Sequence, residues 1–450
     1  MTEALRGEEQ ATAHIHGICL KTGPPTRVGV ELEWLVRDAA DSALPVPAER
    51  IAAAVAAFQP PVPAVSVAAS NGHTDPVASL PSSSVPGILP SGALLTTEPG
   101  GQLELSSLPA DSLAGLVSAT SADLTALRAA VAAEGLELTG IGLDPFRPPR
   151  RVLALPRYAA MEAFFDRAGP WGRQMMCATA SVQVCLDAGD DSETHTGYRH
   201  RWRLLHAIGP VLVAAFANSP LRDGKPIGWK SARQQVWAHM DPTRTRPPLG
   251  EGDGDPRDGW AAYALDAQVM CVRSDDADWS APPGMTLRDW IRSGANGLRA
   301  PETADVDYHL STLFPPVRPR GHFEIRMIDA QPGDGWVVPL AVTTALLDDE
   351  EASGAARAAA EPIWPGRTGD WPAAPGVAGT EDGNPWVTAA RYGPEDPEIA
   401  RASRACFAAA RDALARMNAP GAVTRAVDAF TETYVARDRC PADDLLEEVT

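Results

Sequence analysis

The chain has 450 residues and a formal net charge of −19, and 44% of its residues are hydrophobic. This composition is typical of a globular protein, and the negative charge argues against binding to nucleic acid or to an anionic membrane surface, because both need basic partners. The absence of a long apolar stretch, of a secretory signal and of any CxxC pair among the six cysteines predicts a cytoplasmic protein with reduced thiols and no membrane contact.

Segments rich in proline and glycine divide the chain. Residues 59–92, rich in Pro, Ser and Ala, and residues 244–257 are predicted to be loops, and residues 361–395 a connection. We therefore expect one main domain over residues 1–360 and a C-terminal helical segment over residues 396–450 that packs on it.

The first predicted strand covers residues 27–36, with the sequence RVGVELEWLV. Side chains alternate across a strand, so the apolar residues share one face, and Glu31 and Glu33 share the other. On this strand alone, a solvent-exposed face is the better explanation of two acidic residues.

The second predicted segment, residues 97–106, has the sequence TEPGGQLELS. Its alternation places Glu104 on a polar face. Glu98 precedes Pro99-Gly100-Gly101, which is typical of a tight turn and predicts that Glu98 folds back over the strand.

The middle of the chain alternates between helix and strand. Leucines at helical spacing predict an amphipathic helix over residues 111–134. The strand Ser181–Asp187 has Gln183 on its polar face. A second helix is predicted over residues 198–216, where Pro210 should break or kink it.

The last predicted strand is His322–Asp329, with the sequence HFEIRMID. Uninterrupted alternation places Met327 on its apolar face, and Glu324 and Arg326 on its polar face. Helices are predicted over residues 336–361 and 398–417. Short strands among helices indicate a mixed α+β fold.

The polar faces of these four segments share an unusual composition of acids and amides, with one arginine and no lysine. Five glutamates would repel one another unless cations lay among them, and hard divalent cations such as Mg²⁺ prefer oxygen ligands. Because these acids repel one another, we also expect Glu31→Gln or Glu324→Gln to leave the melting temperature unchanged or to raise it. The five acids are Glu31, Glu33, Glu98, Glu104 and Glu324.

No nucleotide-binding signature accompanies these acids. The chain has no GxxxxGK[ST] motif and no GxGxxG motif after a strand, so a nucleotide would be bound through metal ions and arginines. Arg326 either neutralises charge on a transferring phosphoryl group or only balances the acidic face; the pattern leaves both open.

The four segments resemble the plant and bacterial glutamate–cysteine ligase family, which belongs to the glutamine-synthetase-like carboxylate–amine ligases. The resemblance runs in order from Val28 to Ala345, and within the family it is strongest to an actinobacterial branch assigned to ergothioneine biosynthesis. The matching stretches are VGVELEW, TEPGGQLELS, MMCATASVQVCLD, FANSPLRDGKPIGWKSARQQVW, YALD, MTLRDWI and HLSTLFPPVRPRGHFEIRMID.

The resemblance implies a glutamine-synthetase-like funnel of antiparallel strands flanked by helices, with two or three Mg²⁺ ions. It also implies ATP-dependent joining of the γ-carboxylate of L-glutamate to the amine of L-cysteine, through γ-glutamyl phosphate. The three partners would be small molecules, and the protein a monomer or weak homodimer.

By resemblance, each site residue takes a role. All five acids are metal ligands, and Glu324 also takes part in catalysis. Arg326 contacts the transferred phosphoryl group and hence ATP, and Gln183 lies near substrate and metal. Arg233 is suited to grip the α-carboxylate of glutamate.

One position departs from the family pattern. Plant-type members have a second substrate arginine where this chain has Ala178. Arg157 or Arg173 is then the candidate for that grip, and Tyr158 is a further candidate substrate contact.

Two alternatives to a cysteine-accepting ligase remain at this stage. The same scaffold could use another amine acceptor, or the chain could be a catalytically silent binding relative. The intact acidic face argues against the silent relative, because binding alone gives little reason to keep mutually repelling carboxylates.

Overall fold

The computed structural model describes residues 4–59, 86–248, 254–275, 278–293, 298–364 and 383–449. In these ranges, alternating apolar and polar residues form ten strands. They are β1 (Val28–Asp38), β2 (Gly87–Ile88), β3 (Leu94–Thr97), β4 (Leu103–Ser106), β5 (Leu136–Thr139), β6 (Ser181–Asp187), β7 (Leu221–Arg222), β8 (Lys225–Pro226), β9 (Val317–Pro319) and β10 (His322–Asp329).

The same ranges contain α-helices that flank the strands. They are α1 (Glu8–Cys19), α2 (Ala48–Val55), α3 (Leu113–Ala133), α4 (Pro156–Asp166), α5 (Trp171–Ala178), α6 (Tyr198–Ala215), α7 (Ala232–His239), α8 (Pro242–Thr245), α9 (Pro256–Asp266), α10 (Leu287–Ser293), α11 (Thr303–Leu310), α12 (Val337–Asp348), α13 (Glu350–Ala360), α14 (Pro385–Tyr392), α15 (Pro397–Arg416), α16 (Gly421–Thr433) and α17 (Pro441–Val449). None that the structure describes is long and apolar enough to cross a membrane.

Eight strands form one antiparallel sheet, in the order β2-β3-β4-β1-β6-β10-β9, with β5 also paired to β1. Strands β1 and β6 occupy its centre because their apolar faces are almost completely buried, as at Val30 and Val184. This architecture confirms the predicted α+β fold with an antiparallel sheet flanked by helices.

Helix ends follow local sequence signals. Helix α3 begins after Ser112, whose hydroxyl accepts from the Gly115 amide at 3.1 Å, and it is followed by Gly135 at φ +66°. Helix α15 begins after Asp396, whose carboxylate accepts from two backbone amides, with Pro397 in its first turn. The C-terminal helices belong to the same apolar core as the sheet.

Several predicted boundaries were wrong. Segment 97–106 is a hairpin of β3 and β4, and α6 continues through Pro210. The single helix predicted over 336–361 is two helices, because Asp349 caps the start of α13 through the Ala352 amide at 2.9 Å.

The predicted loops also contain regular structure. Part of 244–257 is helical, in α8 and α9, and the end of 361–395 is α14. Within 59–92, β2 pairs with β3, whereas most of that predicted loop lies outside the described residues. The division into domains at 360 and 395 stays a prediction.

Candidate active site

The acidic residues of β1 and β4 meet on one face of the sheet. Antiparallel pairing sets Glu33 opposite Glu104, and Glu31 opposite Ser106 on one side and Gln183 on the other. Directly opposite residues have Cβ atoms about 4.5–5.5 Å apart, so the register alone brings these carboxylates together.

The turn between β3 and β4 adds Glu98 to this face. The Glu98 amide donates to the Gln102 carbonyl at 2.8 Å, and the Gly101 amide donates to the Glu98 carbonyl at 2.9 Å. A Cβ atom on Gly100 would lie 2.1 Å from the Cys177 carbonyl, and Gly101 has φ +90°, so both positions require glycine. The predicted bend is therefore formed by this tight approach to α5.

Three of these glutamates have raised pKa values. Burial, followed by the charge of Glu324, raises the pKa of Glu31 to about 7. Burial, followed by the charge of Glu33, raises the pKa of Glu98 to about 7, and burial with three neighbouring carboxylates raises the pKa of Glu104 well above its usual value. Their cluster therefore favours bound protons or cations.

The carboxylate of Glu33 is held by neighbours on β6. The Ser181 hydroxyl donates to its Oε2 and the Gln183 amide donates to its Oε1, both at 2.9 Å. The Gln183 amide oxygen in turn accepts from Arg326 Nη1 at 2.5 Å. Gln183 thus links the acidic cluster to β10.

Glu324 has a different environment from the other four acids. Arg318 of β9 donates to both of its oxygens, from Nε at 2.9 Å and from Nη2 at 2.8 Å, and Arg326 donates to Oε1 as well. Burial alone would raise the pKa of Glu324, but these arginines outweigh it and hold the pKa far below its usual range. Both oxygens of this predicted metal ligand are therefore bound by arginines.

Arg326 lies between the two groups of acids. It contacts Glu324 and Gln183. Burial acts to lower the pKa of Arg326, but the charges of Glu324, Glu33 and Glu31 outweigh it and raise the pKa. Its Nε is buried and has no hydrogen-bond partner among the described residues. One donor of this arginine is therefore left without a hydrogen bond inside the protein.

Arg233 of α7 lies beneath the same face and is 1% exposed. Its Nη2 donates to the Arg326 carbonyl at 2.8 Å, its Nη1 is 3.9 Å from Asp329, and its guanidinium stacks 4.5 Å from the Trp237 ring centre. In the described part of the chain, its Nε and Nη1 have no hydrogen-bond partner, which is uncommon for buried donors.

The other candidate substrate-binding residues lie in two different places. Arg157 reaches the acidic cluster, since its charge lowers the pKa of Glu98, and burial followed by the charge of Glu98 raises the pKa of the Tyr158 phenol. Arg173 instead forms half-exposed ion pairs with Glu162 and Asp166, at 3.1 and 2.5 Å.

The four clustered acids suit magnesium in their chemistry. In the ranges described, no three carboxylate, imidazole or thiol groups already converge as a metal site. Their donors are nevertheless all oxygen, and three of them have raised pKa values, which fits hard divalent cations. The four are Glu31, Glu33, Glu98 and Glu104.

Sequence reasoning did not single out Arg318. The residue is 7% exposed and also donates from Nη1 to the Leu313 carbonyl at 3.0 Å. A usable signal was present in VRPR, an arginine between apolar and proline residues just before the strand that carries Glu324.

Comparison with known proteins adds a family and several relatives. Residues 27–449 match the sequence model described as glutamate-cysteine ligase family 2. The chain is 37% identical over 448 residues to glutamate–cysteine ligase EgtA of Mycolicibacterium smegmatis, covering 98% of this chain and 91% of that protein. EgtA of Mycobacterium tuberculosis is 37% identical over 446 residues, covering 98% and 90%.

A solved structure overlaps the chain more loosely. It is a glutamate–cysteine ligase from Francisella tularensis in complex with AMP, with a TM-score of 0.49 and 10% identity. The overlap covers 95% of this chain and 85% of that one.

Proposed function

The chain belongs to glutamate–cysteine ligase family 2, and from this membership we infer that it is an ATP-dependent ligase that forms γ-glutamylcysteine. The γ-carboxylate oxygen of L-glutamate attacks the terminal phosphorus of ATP, which releases ADP. The amine of L-cysteine then attacks the acyl carbon and loses a proton, and phosphate leaves.

The main observation that supports this function is that acidic and basic groups lie side by side on one face of the sheet. Carboxylates with raised pKa values lie beside arginines that have buried, unpartnered N–H donors. Such a face suits a polyphosphate with its cations at one side and a carboxylate at the other.

We assign the metal to the four clustered acids, Glu31, Glu33, Glu98 and Glu104. Bound Mg²⁺ would neutralise charge on the phosphates of ATP. Gln183 and Ser181 fix the rotamer of Glu33, so that its carboxylate need not reorganise when a cation arrives.

We assign the two arginines to different substrates. Arg326, with its unpartnered Nε, would contact the phosphoryl group in transfer, where negative charge is spread over the oxygens. Arg233 would hold the α-carboxylate of glutamate through Nε and Nη1, and Arg157 with Tyr158 would line the other side near Glu98.

The decisive experiment is ADP release with glutamate and a panel of amines, with mass analysis of the product. We expect ADP release to require glutamate, L-cysteine to be the preferred acceptor, and the product to be γ-glutamylcysteine. Preference for another amine would identify a ligase with a different acceptor. ADP release that ignores glutamate, or no release at all, would contradict the ligase.

The setting of the reaction is part of the proposal. The resemblance to the ergothioneine branch supports a role in making that thiol, and six unpaired cysteines are in keeping with work in the cytoplasm. We propose a monomer or weak homodimer, which sedimentation of the purified chain would test.

A further inference from the structure

Strand β10 contains a β-bulge at the position of Arg326. Ile325 pairs with Val184, but Ile328 pairs with Val182, so β10 has one residue more than β6 in this interval. A bulge leaves backbone groups unpaired in the ladder and redirects the side chains beside it.

The bulge changes which residues of β10 reach the active face. Before it, Ile325 is on the apolar face and Glu324 on the polar face. After it, Ile328 pairs with Val182, and Asp329 pairs with Ser181. Asp329 therefore turns toward the active face, where unbroken alternation would have buried it among apolar residues.

Two consecutive residues of α7 bind the backbone of the bulge. Arg233 Nη2 donates to the Arg326 carbonyl at 2.8 Å, and Gln234 Nε2 donates to the Met327 carbonyl at 2.9 Å. The Arg326 amide donates to the Pro316 carbonyl at 2.8 Å. The bulge thus keeps its hydrogen bonds through two side chains of α7 and through the backbone at Pro316, next to β9.

The start of α7 is in turn bound by Asp329, the residue that the bulge turns toward the active face. Asp329 accepts from the Ser231 hydroxyl at 3.0 Å and from the Ser219 hydroxyl at 2.7 Å, and Ser231 caps the amide of Gln234 at 3.1 Å. A Cβ atom at Gly142 would lie 2.5 Å from the Asp329 carboxyl carbon, so this aspartate is tightly enclosed.

From this closed arrangement we propose that Gln234 is a positioning residue, which aims the guanidinium of Arg326 by holding the bulge at Met327. The inference rests on the proposed function, because it concerns the arginine that contacts the phosphoryl group. Gln234 is 5% exposed, and its side chain points at the backbone of β10. Without its donor, the Met327 carbonyl would be buried without that partner, and the bulge would relax toward another geometry.

The first test is Gln234→Met, which keeps the length of the side chain and removes the donor. We expect kcat to fall about 10- to 100-fold, because a displacement of about 1 Å can have that effect, while the KM values for glutamate and ATP change less than about threefold. Gln235→Met is the matched control, since Gln235 is half-buried on the same helix and accepts from Arg222 at 3.1 Å. Its kcat should stay within about twofold of wild type.

The second test asks whether Gln234 acts through Arg326. In an Arg326→Ala background, Gln234→Met should lower kcat by less than about threefold, because the charged group that it positions is already gone. If Gln234→Met fails to fold, Gln234→Asn, which shortens the reach by one methylene, enters the same cycle. Equal losses in both backgrounds, or a change in glutamate KM alone, would overturn the inference.

The proposed function can fail separately. Wild-type enzyme without glutamate-dependent ADP release would contradict the ligase and, with it, this inference. An active wild-type enzyme with additive losses in the cycle would contradict only the role of Gln234.

Discussion

Glu31 and Glu324 lie on the same face of one sheet, yet their pKa values move in opposite directions. We call Glu31, Glu33, Glu98 and Glu104 the carboxylate half of the site, and Arg318, Glu324 and Arg326 the arginine half. In the carboxylate half, burial, followed by the charge of Glu324, raises the pKa of Glu31 to about 7. In the arginine half, two buried guanidinium groups hold the pKa of Glu324 far below its usual range.

The difference shows that burial alone does not decide the charge of a carboxylate. Burial acts to raise the pKa of both residues, and only at Glu324 do the neighbouring arginines outweigh it. The carboxylate half needs cations from solution, whereas the arginine half brings its own. One half is therefore suited to recruiting metal, and the other to presenting a fixed positive charge.

Removal of metal should have the largest effect. We expect no turnover in EDTA and full recovery with excess Mg²⁺, because the carboxylate half would otherwise repel the phosphates of ATP. Measured ADP release before and after adding Mg²⁺ checks this. Turnover that continues in the chelator would remove the metal from the proposal.

Substitution of the arginines should separate chemistry from binding. Arg326→Ala should lower kcat about 10²- to 10³-fold with a smaller change in glutamate KM, and Arg326→Lys should recover only part of the rate. Arg233→Ala should raise glutamate KM strongly and leave ATP KM nearly unchanged. Saturation curves in both substrates check this, and exchanged effects would reverse the two roles.

Glutamine substitutions should affect stability differently in the two halves. Glu31→Gln should abolish activity yet leave ligand-free melting unchanged or raise it, because repulsion is relieved. Glu324→Gln should destabilise the protein by about 3–5 kcal/mol, because Arg318 and Arg326 lose a buried counter-charge. The structure thus reverses the expectation drawn from repulsion for Glu324. Equal melting of the two variants would contradict the comparison.

The same contrast has a pH signature in metal-free protein. A pKa raised from 4.5 to about 7 means that folded Glu31 binds more protons than unfolded Glu31 in this interval, so stability falls as pH rises from 4.5 to 7. The contribution is at most about 3 kcal/mol. Glu324 has the opposite sign, since its stabilisation is present above pH 4.5 and lost as pH falls below it.

Urea unfolding in EDTA at several pH values measures this. The difference in the free energy of unfolding between wild type and Glu31→Gln should grow from pH 4.5 to 7. Added Mg²⁺ should reduce this difference, because it takes the place of the proton on Glu31. A difference that is independent of pH would show that Glu31 is ionised throughout.

The sequence predicted the carboxylate half well, because each of its features is local. Alternation in β1 and β6 assigned Glu31, Glu33 and Gln183 to one face, and Pro99-Gly100-Gly101 identified the turn that carries Glu98. The two-stranded hairpin is not predicted, because the sequence pattern assigns Thr97 to the strand after the turn, whereas Thr97 ends the strand before it.

The arginine half was less predictable, because its features depend on tertiary contacts. HFEIRMID alternates without interruption, so nothing in it indicates the bulge, which exists only in pairing with β6 and contact with α7. Likewise, Arg318 donates to Glu324 from the neighbouring strand β9. The two residues are six positions apart on either side of a turn, and this spacing gives no periodic signal in the sequence. The bulge and the contact between Arg318 and Glu324 both depend on how the strands pair, which the residue pattern within one strand does not show.

The smallest effect concerns Arg157, a candidate for the substrate arginine that this chain lacks at Ala178. Arg157 is half-buried near Glu98, with Nη1 bound to the Ser311 hydroxyl at 3.0 Å and its guanidinium 5.0 Å from the Tyr308 ring centre.

Because a substrate carboxylate near Glu98 would need a fixed cation, Arg157→Ala should raise the KM of glutamate or cysteine about tenfold, or ~1.4 kcal/mol. Arg173→Ala is the matched control, since Arg173 is half-exposed and pairs with Asp166, and its loss should change either KM by less than about twofold. Saturation curves in both amino acids decide between them. A larger effect at Arg173 would mean that substrates approach from the side of α5. Metal ions alone would then have to neutralise the charge of the carboxylate half near Glu98.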